Sequence, residues 1–197
     1  MTTGLDGFYG LLREITKISA WVMPTAGVSP VIASLIGINP PWPNKVGLTV
    51  CTSAIVLFAL VVVFQFFSRR PRRTVNKVII IALVALVLGS TIYFVATALL
   101  TYTTPVTGEV FAKGFVCTGD ADSLYSAKCP WLDLDELKAS EYEATRLWTL
   151  PSIGLARVLL LFAWFGMFGA GAICLGAFVA FQSTLRPKST GANGTGK

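Results

Sequence analysis

The chain has no histidine, and 13% of its 197 residues are charged, where ordinary soluble domains carry about 25%. Each shortage excludes something. Without histidine there is no Ser-His intramembrane protease and no His-ligated hydrolytic metal centre. The three long apolar stretches, 46–68, 78–100 and 152–182, contain no acid and no lysine. Proton relays and ion-coupled sites inside a bilayer are built from such groups, so most proton-coupled carriers are excluded too. No enzyme chemistry, cofactor or metal is expected. The N-terminus lacks the pattern of a cleavable signal peptide, because its first 17 residues carry both signs of charge and the apolar stretch behind them is broken by proline.

What the chain has is hydrophobicity: 54% of residues are apolar. A bilayer core about 30 Å thick needs about 20 apolar helical residues, which 46–68 and 78–100 supply directly. The stretch 152–182 is longer and holds one charge, Arg157, near enough to its start to snorkel to the headgroups. The segment 18–38 is apolar but carries Pro24 and Pro30 and runs into NPPWP at 39–43. It reads as a proline-broken first span or as a re-entrant segment. The composition therefore predicts an all-α integral membrane protein. Four transmembrane helices are expected, with an N-terminal amphipathic helix over 1–17 and an ordered external loop over 101–150 that carries a short helix at about 133–148.

The charge distribution sets an expected orientation. Arg69, Arg70, Arg72, Arg73 and Lys77 crowd the connection 69–77 with no acid, and short basic loops stay in the cytoplasm. The loop 101–150 then lies outside, and it holds eight of the ten acids against four basic residues. The tail 183–197, with Arg186, Lys188 and Lys197, returns to the cytoplasm, as does the N-terminus if 18–38 crosses. Leu5, Phe8, Leu12 and Ile15 fall on one helical face of 1–17. That helix reads as an interfacial anchor, or as a segment that folds against a central pathway. The expected location is a cell inner membrane, with lipid as the first partner. The basic loop suits anionic lipid or an acidic protein surface. Nucleic acid is not expected, since the basic residues cluster at membrane boundaries.

Within the external loop, Cys117 and Cys129 are the only cysteines outside the spans, and an oxidising exterior favours a disulfide between them. The helix that follows Pro130 would bury Leu134, Leu137, Tyr142 and Leu147, with Trp131 and Trp148 at headgroup level. Cys51 and Cys174 read as packing residues. In the spans, Gly169, Ala172, Gly176 and Ala180 form a small-residue stripe that admits a close helix and is expected to pack oligomers. Thr49, Thr52 and Ser53, and Ser90, Thr97 and Thr101, read as helix packing or as the lining of a wet seam. Phe64, Gln65, Phe66 and Phe67 are where an inner constriction would sit, since apolar constrictions gate by dewetting.

The layout is that of several tetraspan families, without their paired-cysteine signatures. More specifically, NPPWP before a span ending FQFF, and EYEATRLWT before SIGLARVLLLFAW, resemble small bacterial inner-membrane proteins associated with anti-phage defence. The resemblance implies an effector that depolarises or permeabilises the inner membrane, with a cytoplasmic defence partner. Two functions stay open: an oligomeric pore or membrane-disrupting effector, or a non-conducting scaffold or sensor subunit that recruits a partner through its outer or basic inner loop.

Overall fold

The structure, a computed structural model, describes residues 26–67, 70–105 and 107–183. The expected amphipathic helix 1–17, residues 18–25 of the first span, Arg69 and nearly all of the tail lie outside the described residues. Among those described, three helices are long and apolar enough to cross a membrane: α2 (Lys45–Phe67), α3 (Arg72–Leu100) and α7 (Leu150–Ser183). Their outward faces are apolar, with Phe58 71% exposed, Phe162 70% and Ile81 67%. Surfaces of that kind over whole helices call for lipid as solvent. The chain is an all-α membrane protein.

A shorter helix, α1 (Ala26–Leu35), precedes them. Pro30 cannot donate to the carbonyl of Ala26, and the Ser29 hydroxyl does so instead at 2.7 Å. The helix then closes on Gly37 at φ +81°. Gly37 N–H donates to Ser34 O at 3.2 Å and Ile38 N–H to Ala33 O at 3.0 Å, a Schellman end that needs a left-handed residue. The prolines of NPPWP prevent helix from resuming until Asn44, whose side chain accepts from Val46 N–H at 3.2 Å and starts α2. Ala26 packs against Val56 and Leu60, near the middle of α2. The described part of α1, about 15 Å long at about 1.5 Å per residue, thus runs back along α2 to mid-depth. Three crossings rather than four are described, and a fourth would need residues 18–25.

The basic connection is shorter than expected. Pro71, at φ −65° and ψ 144°, is the N-cap of α3, and it disfavours helix in the residue before it. Arg72, Arg73 and Lys77 therefore lie in the first turns of α3, not in a loop 69–77. Helix α7 is central, with α3 packed along one side and α2 along the other. Backbones come close at Gly89, where an added Cβ would lie 3.6 Å from Met167 Cα.

Between α3 and α7 the chain builds a small module in place of a single helix on a loop. Strand β1 (Thr101–Thr103) continues α3 and pairs antiparallel with β2 (Val110–Ala112). Helices α4 (Gly119–Tyr125), α5 (Leu134–Ala139) and α6 (Ala144–Leu147) follow. The expected helix over 133–148 is split because Glu141 and Tyr142 take φ of 58° and 62°. Tyr142 N–H reaches back to Leu137 O at 2.8 Å, ending α5, and its carbonyl accepts the Tyr102 hydroxyl at 2.9 Å. Leu137 and Leu147 are buried as expected and Trp131 is exposed, but Trp148 is fully buried in the module and not at headgroup level.

Candidate functional site

One buried indole links two of the long helices by a side-chain hydrogen bond. Trp164 of α7 is fully buried, and its Nε1–H donates to Thr52 Oγ1 of α2 at 3.0 Å. Thr52 donates in turn to Leu48 O at 2.7 Å. The Trp164 ring sits 4.6 Å from Phe168 and 5.4 Å from Tyr93 of α3, centroid to centroid. The Tyr93 hydroxyl donates to Ile38 O, just beyond α1. Rings and hydrogen bonds tie α2, α3, α7 and the end of α1 together there. Neither Trp164 nor Tyr93 stands out in the sequence as a site residue. The signal was present in kind, since a buried indole N–H needs an acceptor, but its partner lies 112 residues away.

Most of the other hydroxyls bond their own helix, and of them Ser90 also borders a cavity between helices. Thr49 donates to Lys45 O, Ser90 to Leu86 O, Thr97 to Tyr93 O and Thr101 to Thr97 O, each a bond to its own helix. Thr52 alone among the six links two helices. The Ser53 Oγ is buried without a hydrogen-bond partner, as is the Asn39 Oδ1. Ser29 and Ser90 border a largely apolar cavity of about 220 Å³ beside Phe168 and Gly171.

The small-residue stripe is divided. Ala172 and Ala180 are buried, and a Cβ on Gly176 would lie 2.9 Å from Val63 of α2. These three positions are occupied by packing within the chain and are not free to receive a second copy as expected. Gly169 differs: an added Cβ meets nothing within 4 Å, and the residue lines an open groove between α7 and α3. At the far end of α2, Phe66 is 57% exposed and carries the Arg70 guanidinium 4.8 Å above its ring, with Phe67 edge-on at 5.2 Å. Phe64 is half-buried and Gln65 exposed. This cluster faces outward and does not constrict a passage within one chain.

The module is organised around the second buried indole. Trp148 Nε1–H donates to Pro130 O at 3.1 Å, and its ring packs with Tyr102, Leu132, Leu137 and Leu147. Cys117 and Cys129 are joined by a disulfide with their Cα atoms 6.3 Å apart. Around them, Thr118 N–H donates to Leu147 O and Thr149 N–H to Val116 O, both at 3.0 Å, so the strand-like segment at Cys117 pairs with Trp148. Gly114 lies directly beneath: a Cβ there would sit 2.6 Å from that of Trp148 and collide with Ser152 Oγ. Ser152 belongs to α7, so the module core and the membrane helix share one packed joint.

One ion pair ties the disulfide region to α5. Glu136 has an 8% exposed side chain, and its Oε1 accepts from Lys128 Nζ at 2.6 Å while its Oε2 accepts from Asp133 N–H at 2.9 Å. The hydrogen bond from Lys128 holds the Glu136 carboxyl below its ordinary value, and the same bond raises the Lys128 ammonium. Burial raises the Tyr102 phenol above its ordinary range. Asp120, Asp122, Asp135 and the apolar Leu124 and Trp131 are exposed on the module surface. Among the described residues no group of three or more Cys, Asp or Glu side chains is placed to hold a metal ion. No family model, curated protein or solved structure matches this chain.

Proposed function

We propose that the protein is a non-conducting membrane subunit, a scaffold or sensor whose working part is the disulfide-closed module carried between α3 and α7. The observation that carries this reading is the contact of Trp164, Thr52 and Tyr93, which locks the helices of one chain together beside a largely apolar cavity of about 220 Å³. It stands beside a module with its own core and a packed joint to α7 at Gly114, Trp148 and Ser152. The surface offered is acidic with exposed Leu124 and Trp131, a match for a basic partner with an apolar contact.

The proposed orientation places the module outside the cell and the Arg72, Arg73 and Lys77 end inside. Short basic segments are retained in the cytoplasm, and a disulfide persists in an oxidising compartment, so two independent rules agree. The proposed location is a bacterial inner membrane, where the resemblance to anti-phage membrane proteins makes the module or the basic inner end a point of contact for a defence partner. Site-specific crosslinking from Trp131 in the native host tests this reading. A specific adduct lost on reduction of the disulfide is expected; efficient partner capture by the reduced, unfolded module would count against it.

The second reading, an oligomeric pore or membrane-disrupting effector, is favoured by one feature: Gly166 and Gly169 face open space on α7. Of the small residues on α7, these are open to a second copy, whereas Ala172, Gly176 and Ala180 are already occupied. Ion flux from liposomes separates the two readings.

A further inference from the structure

Among the described residues, helix α1 begins in the middle of the membrane. Ala26 is buried against Val56 and Leu60 of α2 and Ala172 of α7. The next residue is held as closely, since a Cβ on Gly27 would lie 2.7 Å from the Leu57 side chain. This end of α1 is therefore fixed at about 15 Å from either face of a hydrocarbon core about 30 Å thick. In an α-helix the N–H groups of Ala26, Gly27, Val28 and Ser29 are accepted by the carbonyls of residues 22–25. No water stands in for those carbonyls at mid-depth, so the chain ahead of Ala26 has to supply them.

The same end of α1 borders a space. Ala26 and Ser29 form one wall of the cavity of about 220 Å³, opposite Leu86 of α3 and Phe168, Ala172 and Leu175 of α7. The last three lie on successive turns of α7, so the cavity runs inward past the point where Ala26 packs on Ala172.

We infer that residues 18–25 continue α1 along this cavity, with Val22 seated in it, and so complete a fourth crossing. Val22 lies four residues before Ala26 and seven before Ser29, and helical spacing puts all three on one face. The eight residues ISAWVMPT carry no charge, and the first charge met is Lys17, nine residues before Ala26. At 1.5 Å per residue that is about 14 Å, close to half the hydrocarbon thickness, so Lys17 reaches the boundary as the apolar run ends. Pro24 is compatible with this course, because it has no N–H to satisfy and α1 already passes through Pro30. A lipid tail in the cavity would fill apolar space but would offer no acceptor to the first turn of α1. The inference goes beyond the scaffold role and does not rest on it, as it requires only that the long helices lie in a bilayer.

The test uses the full chain in proteoliposomes, disulfide intact, with Cys51→Ala and Cys174→Ala as background. Leu175→Cys paired with Val22→Cys should oxidise to a cross-linked chain, whereas Leu175→Cys paired with Ala20→Cys, on the far side of the helix, should not. Gly171→Leu projects into the cavity without a backbone clash and should abolish the cross-link. A second measurement does not depend on packing: Lys17→Cys should react with a membrane-impermeant maleimide only from the side of the bilayer opposite to Glu109→Cys of the module. Labelling of both cysteines from one side would overturn the crossing. Cross-linking that is absent at Val22, equal at Ala20 or unaffected by Gly171→Leu would overturn the seat in the cavity. A tail-labelled photoreactive phospholipid that marks the buried Ala172 in the unaltered chain would make lipid the occupant instead.

Discussion

Among the described residues two tryptophans are fully buried and each has its indole N–H satisfied, yet they sit in regions stabilised differently. Trp164 donates to a threonine hydroxyl on another long helix and packs against the Tyr93 and Phe168 rings, and elsewhere along the helices glycines allow close approach: Gly89 against Met167, Gly176 against Val63. Trp148 donates to a backbone carbonyl 18 residues away, inside a cluster of large side chains closed by a disulfide. The difference follows from the surroundings. Lipid tails are as apolar as leucine, so helices gain little by hiding leucine from them and associate through close approach and hydrogen bonds. A module of about fifty residues with a polar surface gains from burying apolar area, but a core that small needs a covalent staple. The two regions are therefore expected to respond separately to perturbation, although Ser152 and Ile153 of α7 join them.

The largest expected effect is that of Trp148→Ala, which removes the centre of the module. A loss of about 3–5 kcal/mol should abolish the near-ultraviolet circular dichroism of the module while far-ultraviolet helicity in detergent largely persists. Collapse of the helical signal as well would show that the two regions are one cooperative unit. Next comes the disulfide, whose cysteines are 12 residues apart. Its removal as Cys117→Ser with Cys129→Ser should cost about 3 kcal/mol, read as a lower melting temperature for the module and an unchanged one for the helices.

In the helical part, Thr52→Val leaves the Trp164 N–H buried and unpaired, at a cost of about 1–3 kcal/mol, whereas Thr52→Ser should restore the unaltered stability. Thermal unfolding in detergent, followed by Trp164 fluorescence, distinguishes the two. Comparable in size is Gly176→Ala, which presses on Val63 and should cost about 1–3 kcal/mol, while Gly169→Ala should leave thermal stability nearly unchanged. Equal effects at the two glycines would mean that the stripe is not divided as described.

The smallest effect is electrostatic and confined to the module. The Glu136 carboxyl is held below its ordinary 4.5 by Lys128, so it takes up its proton more readily in the unfolded chain than in the folded one. Its contribution is present above pH 4.5 and is lost as pH falls through the lower folded value. Lys128, raised above its ordinary 10.5, contributes below that pH and loses its contribution as pH rises through its folded value. Lys128→Gln should flatten both the acid and the alkaline limb of module stability, measured by denaturant titration across pH, and leave the helical part unaltered.

The membrane helices were legible because an apolar run of about 20 residues has few alternative uses: α2 and α3 begin and end within a few residues of their expected bounds, apart from the basic start of α3. That start was missed because positive residues signal a loop by location, while Pro71 decides the local backbone. The disulfide was legible from compartment logic and cysteine count. The hairpin was not, as TYT and VFA are three-residue strands without a period long enough to register. The split between α5 and α6 escaped because Glu141, not glycine, takes the left-handed position. Among the candidate site residues, the sequence placed Thr49, Thr52 and Ser53 on one face of a helix but could not say which hydroxyl meets an indole 112 residues on. The small-residue stripe was equally ambiguous: glycine permits close approach without naming the helix that approaches, and for Gly176 that helix is α2 of the same chain.

The most direct test of the account is ion flux across liposomes containing the purified, disulfide-intact protein. With the contact of Trp164, Thr52 and Tyr93 locking the helices together beside a largely apolar cavity, flux should not exceed that of empty liposomes. Flux that rises with the amount of inserted protein, and that Gly169→Leu abolishes while Gly176→Ala does not, would contradict the non-conducting reading and establish a pathway between copies.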